Sequence, residues 1–295
     1  MMRIFRRGAL AAGLLLQCVS AQGPAKLRGV SMVQVNGRAM RVRTGNLENR
    51  KPGQPIVVLE SGSVQQLENW NPIFSQIAAL APVVAYDRPG IGRSEFDGQS
   101  QTLDHVAQSL HELLSQLKLS PPYVLVGHSY GGLLIMTFTN RYPAEVAGLV
   151  YLDASDPDMS YADFDAISPE TRRLVMSELD VFPPDLPIGM KAEIDNLRKL
   201  LANDMSGLHA VRPPKGVPTG VLISAGKYER SEKPLPPQIA AGMVRLQIRH
   251  EQEWALSSQN SFVIIANHMS HFVHQDDPAL VMQVVQRVLS AASKK

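Results

Sequence analysis

A serine lies between two glycines in Gly127-His128-Ser129-Tyr130-Gly131, at the spacing G-x-S-x-G. This spacing is typical of a sharp turn between a strand and a helix, which lifts the middle hydroxyl clear of the sheet. The glycines let neighbouring backbone pass close to that turn. A serine hydroxyl in this position attacks a carbonyl carbon once a nearby base removes its proton. Ser129 is therefore the candidate nucleophile for acyl transfer.

The segments on both sides of the motif have the patterns that such a turn requires. Residues 123–126 are an apolar run bounded by Pro122 and Gly127, which predicts a short buried strand, and from Gly131 onward apolar residues recur at helical spacing. A helix that begins here directs its positive end toward the serine, where negative charge would develop. The alternative is a structural turn with a capping serine, but the flanking patterns favour the catalytic interpretation.

A serine nucleophile needs a base, and histidine has the pKa that suits this task at neutral pH. Three of the eight histidines, His268, His271 and His274, follow the predicted strand that ends at Ala266. A loop in that place lies at the same edge of the sheet as the serine turn. The spacing H-x-x-H-x-x-H would also suit a metal, but no carboxylate-rich set or cysteine accompanies it, so we expect neither a metal nor another cofactor.

The chain around these residues alternates predicted strands with predicted helices. Apolar runs predict buried strands at 56–59, 83–86, 123–126, 148–152, 220–224 and 262–266, and helical spacing occurs at 70–80, 103–117, 237–257 and 278–291. Asn36-Gly37 predicts an antiparallel hairpin at the edge of the sheet. This order predicts an α/β fold in which helices cover both faces of a mostly parallel sheet.

Residues from about 159 to 216 interrupt this alternation. They contain helical patterns at 169–179 and 191–201, between proline-rich joints. Because parallel sheets bind ligands at the carboxyl ends of their strands, we interpret this insertion as a helical lid over the site. Its methionines, Met159, Met176, Met190 and Met205, either belong to an ordinary core or line an adaptable apolar pocket.

Residues 1–21 have the pattern of a secretory signal peptide. Three arginines precede an apolar run at 8–16, and small residues lead up to Ala21. The run is too short to span a bilayer. We expect cleavage after Ala21 and export to the periplasm or the exterior, followed by one domain over residues 22–295.

The charge and cysteine content bear on the possible partners. Without the three leader arginines, the 29 basic residues fall to 26 against 27 acidic ones, a net charge of −1. This balance does not favour binding to nucleic acid or to an anionic membrane, and we expect no stable membrane insertion. The single cysteine, Cys18, lies in the leader, so we expect a mature chain without disulfides.

Four segments of the chain resemble the α/β-hydrolase superfamily. They are residues 87–94, 127–132, 142–153 and 270–278, in the family's order, within a resemblance that runs from about Val30 to Leu289. The resemblance implies an α/β-hydrolase fold and a serine hydrolase that needs no cofactor. It implies that His271 is the base, with His268 and His274 as structural neighbours. The Asp87-Arg88-Pro89-Gly90 segment is interpreted as a packed turn that supports the serine turn.

The resemblance also implies two backbone donors that would stabilise an oxyanion. One is the N–H of Tyr130, the residue after the nucleophile. The other comes from the loop after the predicted strand at 56–59, and we assign it to the N–H of Ser63. Many relatives carry His-Gly where this chain has Ser61-Gly62.

The acid that orients the imidazole must fall between Ser129 and His271 in the chain. Asp153 and Glu229 each follow a predicted strand in that interval, and most relatives carry aspartate at the later position. A subset of relatives with a Leu-Asp-Ala-Ser-like segment uses the earlier position, so we favour Asp153 and keep Glu229 as the alternative. Glu229 is flanked by Lys227 and Arg230 and could instead form a solvated ion pair.

Together these interpretations predict an exported serine hydrolase that cleaves small-molecule carboxylic esters through an acyl-enzyme. Other activities would use the same triad and remain alternatives: amidase or peptidase, lactonase, perhydrolase and carbon–carbon bond hydrolase. A family member that binds a ligand without turnover is the alternative from another class. The substrate, its chain length and the oligomeric state are not specified by these patterns.

Overall fold

The structure, a computed structural model, describes residues 29–178, 185–208, 211–231, 234–255, 258 and 260–293. The predicted leader lies outside the described residues, so export and the cleavage site stay predictions from the sequence.

Eight strands form one sheet in this described part of the chain, in the order β1-β2-β4-β3-β5-β6-β7-β8. Their bounds are β1 Gly29–Val35, β2 Arg38–Gly45, β3 Ile56–Glu60, β4 Val83–Tyr86, β5 Tyr123–His128, β6 Val146–Leu152, β7 Thr219–Ser224 and β8 Phe262–Ala266. β2 pairs antiparallel with both β1 and β4, and the other neighbouring pairs are parallel. The predicted sheet, with a hairpin at its edge, is confirmed.

Helices cover both faces of the sheet. Their bounds are α1 Asn71–Leu80, α2 Leu103–Gln116, α3 Tyr130–Arg141, α4 Tyr161–Ile167, α5 Thr171–Glu178, α6 Ile188–Ala202, α7 Pro237–Ala255, α8 Val273–Asp276 and α9 Pro278–Ala292. α2, α3 and α7 pack on one face, and α1 and α9 pack on the other. The α/β-hydrolase fold class predicted from the sequence is confirmed.

The central strand β3 shows why the buried strands are apolar without interruption. Ile56 and Val58 belong to the hydrophobic cluster under α2 and α3, whereas Val57 and Leu59 belong to the cluster under α1 and α9. All four side chains are fully buried. A parallel strand with helices on both sides has no solvent-facing positions, so the alternation of apolar and polar residues disappears.

The element boundaries differ from the prediction mainly near the site. β5 continues through His128, two residues beyond the apolar run, because Gly127 and His128 still pair with β6. α6 begins at Ile188, three residues before the predicted start at 191. α8 was not predicted, because four residues are too few to show a helical period.

The insertion at 159–216 lies between β6 and β7 and contains α4, α5 and α6. The first turn of α6 packs directly on the backbone of the 87–94 turn, since a Cβ added to Gly189 would lie 2.4 Å from the Gly90 Cα. Among the described helices, none combines the length and the hydrophobicity that crossing a bilayer requires.

Candidate active site

Ser129 occupies a strained turn between β5 and α3. Its backbone has φ 53° and ψ −125°, a conformation that non-glycine residues rarely adopt and that costs about 1–3 kcal/mol. The surrounding backbone holds it there: the Ser129 N–H donates to the Leu152 carbonyl at 3.2 Å, and the Ser129 carbonyl accepts from Gly132 at 2.8 Å and from Ser155 at 3.0 Å. Strain held by neighbouring elements is typical of functional positions.

The glycines of the motif have the role that the spacing predicts. A Cβ added to Gly131 would lie 2.2 Å from the Glu60 carbonyl oxygen, and one added to Gly127 would lie 2.6 Å from the Gly131 carbonyl oxygen. Both distances are too short for a side chain. The end of β3 therefore lies directly against the first turn of α3.

Ser129, His271 and Asp153 line one cavity of about 340 Å³ at the carboxyl ends of the strands. Apolar side chains form most of the remaining wall, and they come from the insertion and from the segments after β6 and β7: Ala154, Met159, Val175, Leu197, Leu201, Met205, Leu235 and Met243. Met159 and Met205 therefore line a pocket, which was one of the two interpretations of the methionines.

His271 lies in the loop between β8 and α8. Its Nδ1 is 2.6 Å from Oδ2 of Asp153, although the two residues are 118 positions apart in the chain. Its carbonyl oxygen accepts a hydrogen bond from Nε2 of His128 at 2.8 Å, and the two rings lie 4.8 Å apart. The residue before the nucleophile thus fixes the backbone of His271.

Asp153 follows β6 and is fully buried. Its Oδ1 accepts from the Ser224 N–H at 3.0 Å and from Nζ of Lys227 at 3.1 Å. Burial by itself would raise the pKa of this carboxyl, but the Lys227 charge and the hydrogen bond to His271 outweigh burial and lower the pKa to about 2. Asp153 is therefore an anion at neutral pH, with His271 on one oxygen and Lys227 on the other.

Glu229, the alternative acid, is exposed in the turn after β7. Its N–H donates to the Gly226 carbonyl at 3.2 Å. Of the two acids that the sequence left open, Asp153 is the one in contact with His271. Lys227 pairs with this buried acid, a role that its position beside Glu229 did not indicate.

The two other histidines of the cluster have different surroundings. His268 is exposed and its Nε2 lies 2.9 Å from Oδ2 of Asp277. His274 is buried, with its ring 5.0 Å from the Trp70 ring and 4.7 Å from the His128 ring. Burial, assisted by the nearby His271, lowers the pKa of His274 to about 4. Among the described residues, no three His, Cys, Asp or Glu side chains form a group that would hold a metal ion.

The two backbone donors assigned to the oxyanion lie in the loop after β3 and at the start of α3. Tyr130 is the first residue of α3, where backbone N–H groups have no partner within the helix. Ser63 lies in the segment after β3, residues 61–64, here called the oxyanion loop. The preceding N–H, that of Gly62, donates instead to Oε1 of Gln65 at 3.1 Å.

Arg88 reaches this loop from the turn after β4. It is fully buried and forms ion pairs with Glu60 and Glu193, both at 2.7 Å. The prediction of a packed turn at 87–90 did not anticipate these contacts, because Glu193 lies 105 residues further along the chain. Arg88 itself was the indication in the sequence: an arginine in a packed turn needs acidic partners once it is buried.

Comparison with known proteins relates the chain to one family of proteins. The sequence matches the model described as "Alpha/beta hydrolase family" over residues 57–284. It is 28% identical over 255 residues to the uncharacterized protein YqjL of Bacillus subtilis (strain 168). The aligned region covers 84% of this chain and 89% of that protein.

Two solved structures have the same fold. One is a putative lipase (lip1) from Acinetobacter baumannii AYE, with a TM-score of 0.62 and 15% identity over 90% of this chain and 92% of that chain. The other is a putative acyltransferase from Salmonella enterica, with a TM-score of 0.64 and 18% identity over 89% of this chain and 95% of that chain. At these identities the likeness concerns the fold alone.

Proposed function

The chain belongs to the alpha/beta hydrolase family, and we propose that it is a serine hydrolase that cleaves carboxylic esters through an acyl-enzyme. One observation carries the proposal: His271 is hydrogen-bonded to the buried carboxylate of Asp153, at 2.6 Å, in the wall of a cavity that Ser129 also lines. Nucleophile, base and orienting acid in one cavity are the parts that this chemistry needs.

In the proposed mechanism, His271 takes the proton of the Ser129 hydroxyl, and the serine oxygen attacks the ester carbonyl carbon. The N–H groups of Tyr130 and Ser63 stabilise the resulting oxyanion. The protonated His271 then gives its proton to the departing alcohol, which leaves the acyl group on Ser129. Water, activated in turn by His271, attacks the acyl-enzyme and releases the acid.

The cavity wall supports an apolar group as the part of the substrate that the protein recognises. Besides Ser129, Asp153 and His271, its lining combines eight aliphatic or thioether side chains with Tyr228 and five polar residues. Methionine side chains adapt to irregular shapes, so this wall suits an aliphatic chain better than one rigid ring. We therefore propose a small-molecule ester with an apolar acyl or alkyl group.

The test combines labelling with turnover. A fluorophosphonate probe is expected to form an adduct on Ser129 of the folded protein, which mass spectrometry of the peptide would locate. Ser129→Ala should abolish the adduct, whereas Ser115→Ala, on an exposed serine of α2, should retain it. Absence of an adduct in the unsubstituted protein would favour a binding protein without turnover.

Turnover distinguishes the enzymatic alternatives that share these residues. We expect hydrolysis of p-nitrophenyl esters, with kcat/KM rising as the acyl chain fills the cavity, and slower hydrolysis of a p-nitroanilide with the same acyl group. Faster cleavage of the anilide, or of a lactone, would replace the ester assignment by one of the alternatives.

We also propose export, supported by the leader-like pattern of residues 1–21. The mature protein is expected to begin at Gln22. N-terminal sequencing of the protein from the extracytoplasmic fraction tests this, and an intact Met1 in that fraction would contradict the proposed cleavage.

A further inference from the structure

The Arg88 guanidinium donates hydrogen bonds to two backbone carbonyl groups of the oxyanion loop. Nη1 donates to the Ser61 carbonyl at 2.8 Å, and Nη2 donates to the Gly62 carbonyl at 2.7 Å. These bonds come from a fully buried cation, so they are stronger than bonds between neutral groups. Their strength makes the orientation of both peptide groups difficult to change.

The orientation of the Gly62 carbonyl decides the orientation of the Ser63 N–H. The two groups belong to one planar trans peptide, in which the C=O and the N–H point in opposite directions. Because the carbonyl faces Arg88, the N–H of Ser63 faces away from it. A flipped peptide would aim the N–H at the guanidinium and leave Nη2 without this acceptor, so Arg88 opposes the flip.

Glu193 of α6 holds both Arg88 and the next peptide of the loop. Its carboxylate accepts from Nε and Nη2 of Arg88, at 2.7 and 2.9 Å, and its Oε1 also accepts from the Val64 N–H at 2.6 Å. Val64 has φ 53°, a strained conformation for a β-branched residue. The hydrogen bond to Glu193 helps to stabilise this strained backbone.

The same helix also contacts the second oxyanion segment. Asn196, one turn after Glu193, donates from Nδ2 to the Tyr130 hydroxyl at 3.0 Å. The start of α6 has little freedom to move, since Gly189 and Gly90 bring the two backbones into direct contact. α6 thereby contacts the core at three places: the 87–94 turn, the oxyanion loop with Arg88, and Tyr130.

We propose that Glu193, acting through Arg88 and the Val64 N–H, is a positioning residue that keeps the Ser63 N–H oriented for oxyanion stabilisation. In this arrangement α6 is part of the catalytic framework as well as a cover for the pocket. The inference rests on the proposed serine hydrolase function.

The test is Glu193→Gln, measured against Asp195→Asn on the exposed side of the same helix. The glutamine keeps one acceptor oxygen but lacks the charge that pairs with Arg88. Loss of one oxyanion donor typically lowers kcat about 10²–10³-fold, so a misoriented donor should lower it at least tenfold. KM for a p-nitrophenyl ester should stay within twofold, and Asp195→Asn should leave both constants unchanged.

A second readout separates positioning from a general structural role. A trifluoromethyl ketone with the same acyl group forms a tetrahedral adduct whose oxygen occupies the oxyanion site, so Glu193→Gln should weaken its inhibition by about the same factor as kcat. Unchanged kcat and unchanged inhibition in folded Glu193→Gln would overturn the inference while leaving the hydrolase function intact. So would a rise in KM alone.

Should Glu193→Gln fail to fold, Glu193→Asp retains the charge but is one methylene too short to reach Arg88 and Val64 together. It is expected to show the same pattern of reduced kcat and near-constant KM, and normal kcat in this variant would contradict the inference. An unsubstituted protein without ester turnover and without a Ser129 adduct would overturn the hydrolase function and the inference with it.

Discussion

At the level of single residues, the site depends on a buried carboxylate that is kept ionised by two partners. Asp153 has no exposure to solvent, and an isolated buried carboxyl would hold its proton. Lys227 on one oxygen and His271 on the other reverse that tendency and lower the pKa to about 2. The site therefore keeps its acid charged over the whole range in which an imidazole works as a base.

The acid assignment gives a direct comparison of two variants. Asp153→Asn should lower kcat by about 10⁴-fold, because an amide neither fixes the histidine tautomer nor stabilises the protonated ring. Glu229→Gln should stay within twofold, because Glu229 is exposed and Asp153 already contacts His271. Steady-state kinetics on folded protein, checked by circular dichroism, gives both numbers. The opposite ranking would contradict the assignment.

At the level of elements, the position of α6 depends on two glycines facing each other. A Cβ at Gly189 would meet the backbone of Gly90 at 2.4 Å, and backbone cannot move aside as a side chain can. In α7, a Cβ at Gly242 would meet the side chain of Ile167 rather than backbone, with Cγ2 at 2.5 Å, Cγ1 at 3.1 Å and Cβ at 3.4 Å. Both glycines lie in helices, but Gly189 faces the backbone of Gly90, whereas Gly242 faces the side chain of Ile167.

This contrast predicts different outcomes for one substitution. Alanine is the better helix former by about 1 kcal/mol, which offsets part of the cost of displacing the Ile167 side chain, so Gly242→Ala should lower the melting temperature less than Gly189→Ala does. Gly189→Ala should lower the melting temperature and also reduce kcat, because α6 must move away from the 87–94 turn. Thermal unfolding and ester turnover test both variants. A Gly189→Ala protein as stable and active as Gly242→Ala would show that this contact is not required.

The same elements show how far sequence patterns extend. The strand–helix alternation and the hairpin follow from periodicity and local turn chemistry. The start of α6 does not, since it lies against the distant 87–94 turn, and α8 does not, since four residues are too few to show a helical period.

At the level of the whole molecule, stability should depend on pH through histidines that are buried without charge. His274 lies between Trp70 and His128, and its pKa is about 4 in the folded protein against about 6.5 in an unfolded chain. Below pH 6.5 the unfolded chain binds the extra proton, so stability falls as pH decreases from about 6.5 to 4. The full effect of this group is about 3 kcal/mol.

Urea unfolding at several pH values between 7 and 4 measures this effect. His274→Gln should be less stable at pH 7 but should lose less of its free energy of unfolding on acidification than the unsubstituted protein. Equal acid sensitivity in the unsubstituted protein and in His274→Gln would show that another group is responsible. Burial likewise lowers the pKa of His128, which adds to the trend in both proteins.

The sequence by itself determined the family, the order of strands and helices, and the candidates Ser129 and His271, because each depends on residues that are close together in the chain. Tertiary structure alone decided that Asp153 contacts His271, that Lys227 lies on the same carboxylate, and that Arg88 and Glu193 meet at the oxyanion loop. These pairs are separated by 74 to 118 residues, so no local period records them. A buried charge needs a partner because burying it alone is costly, and only the folded chain brings that partner into contact.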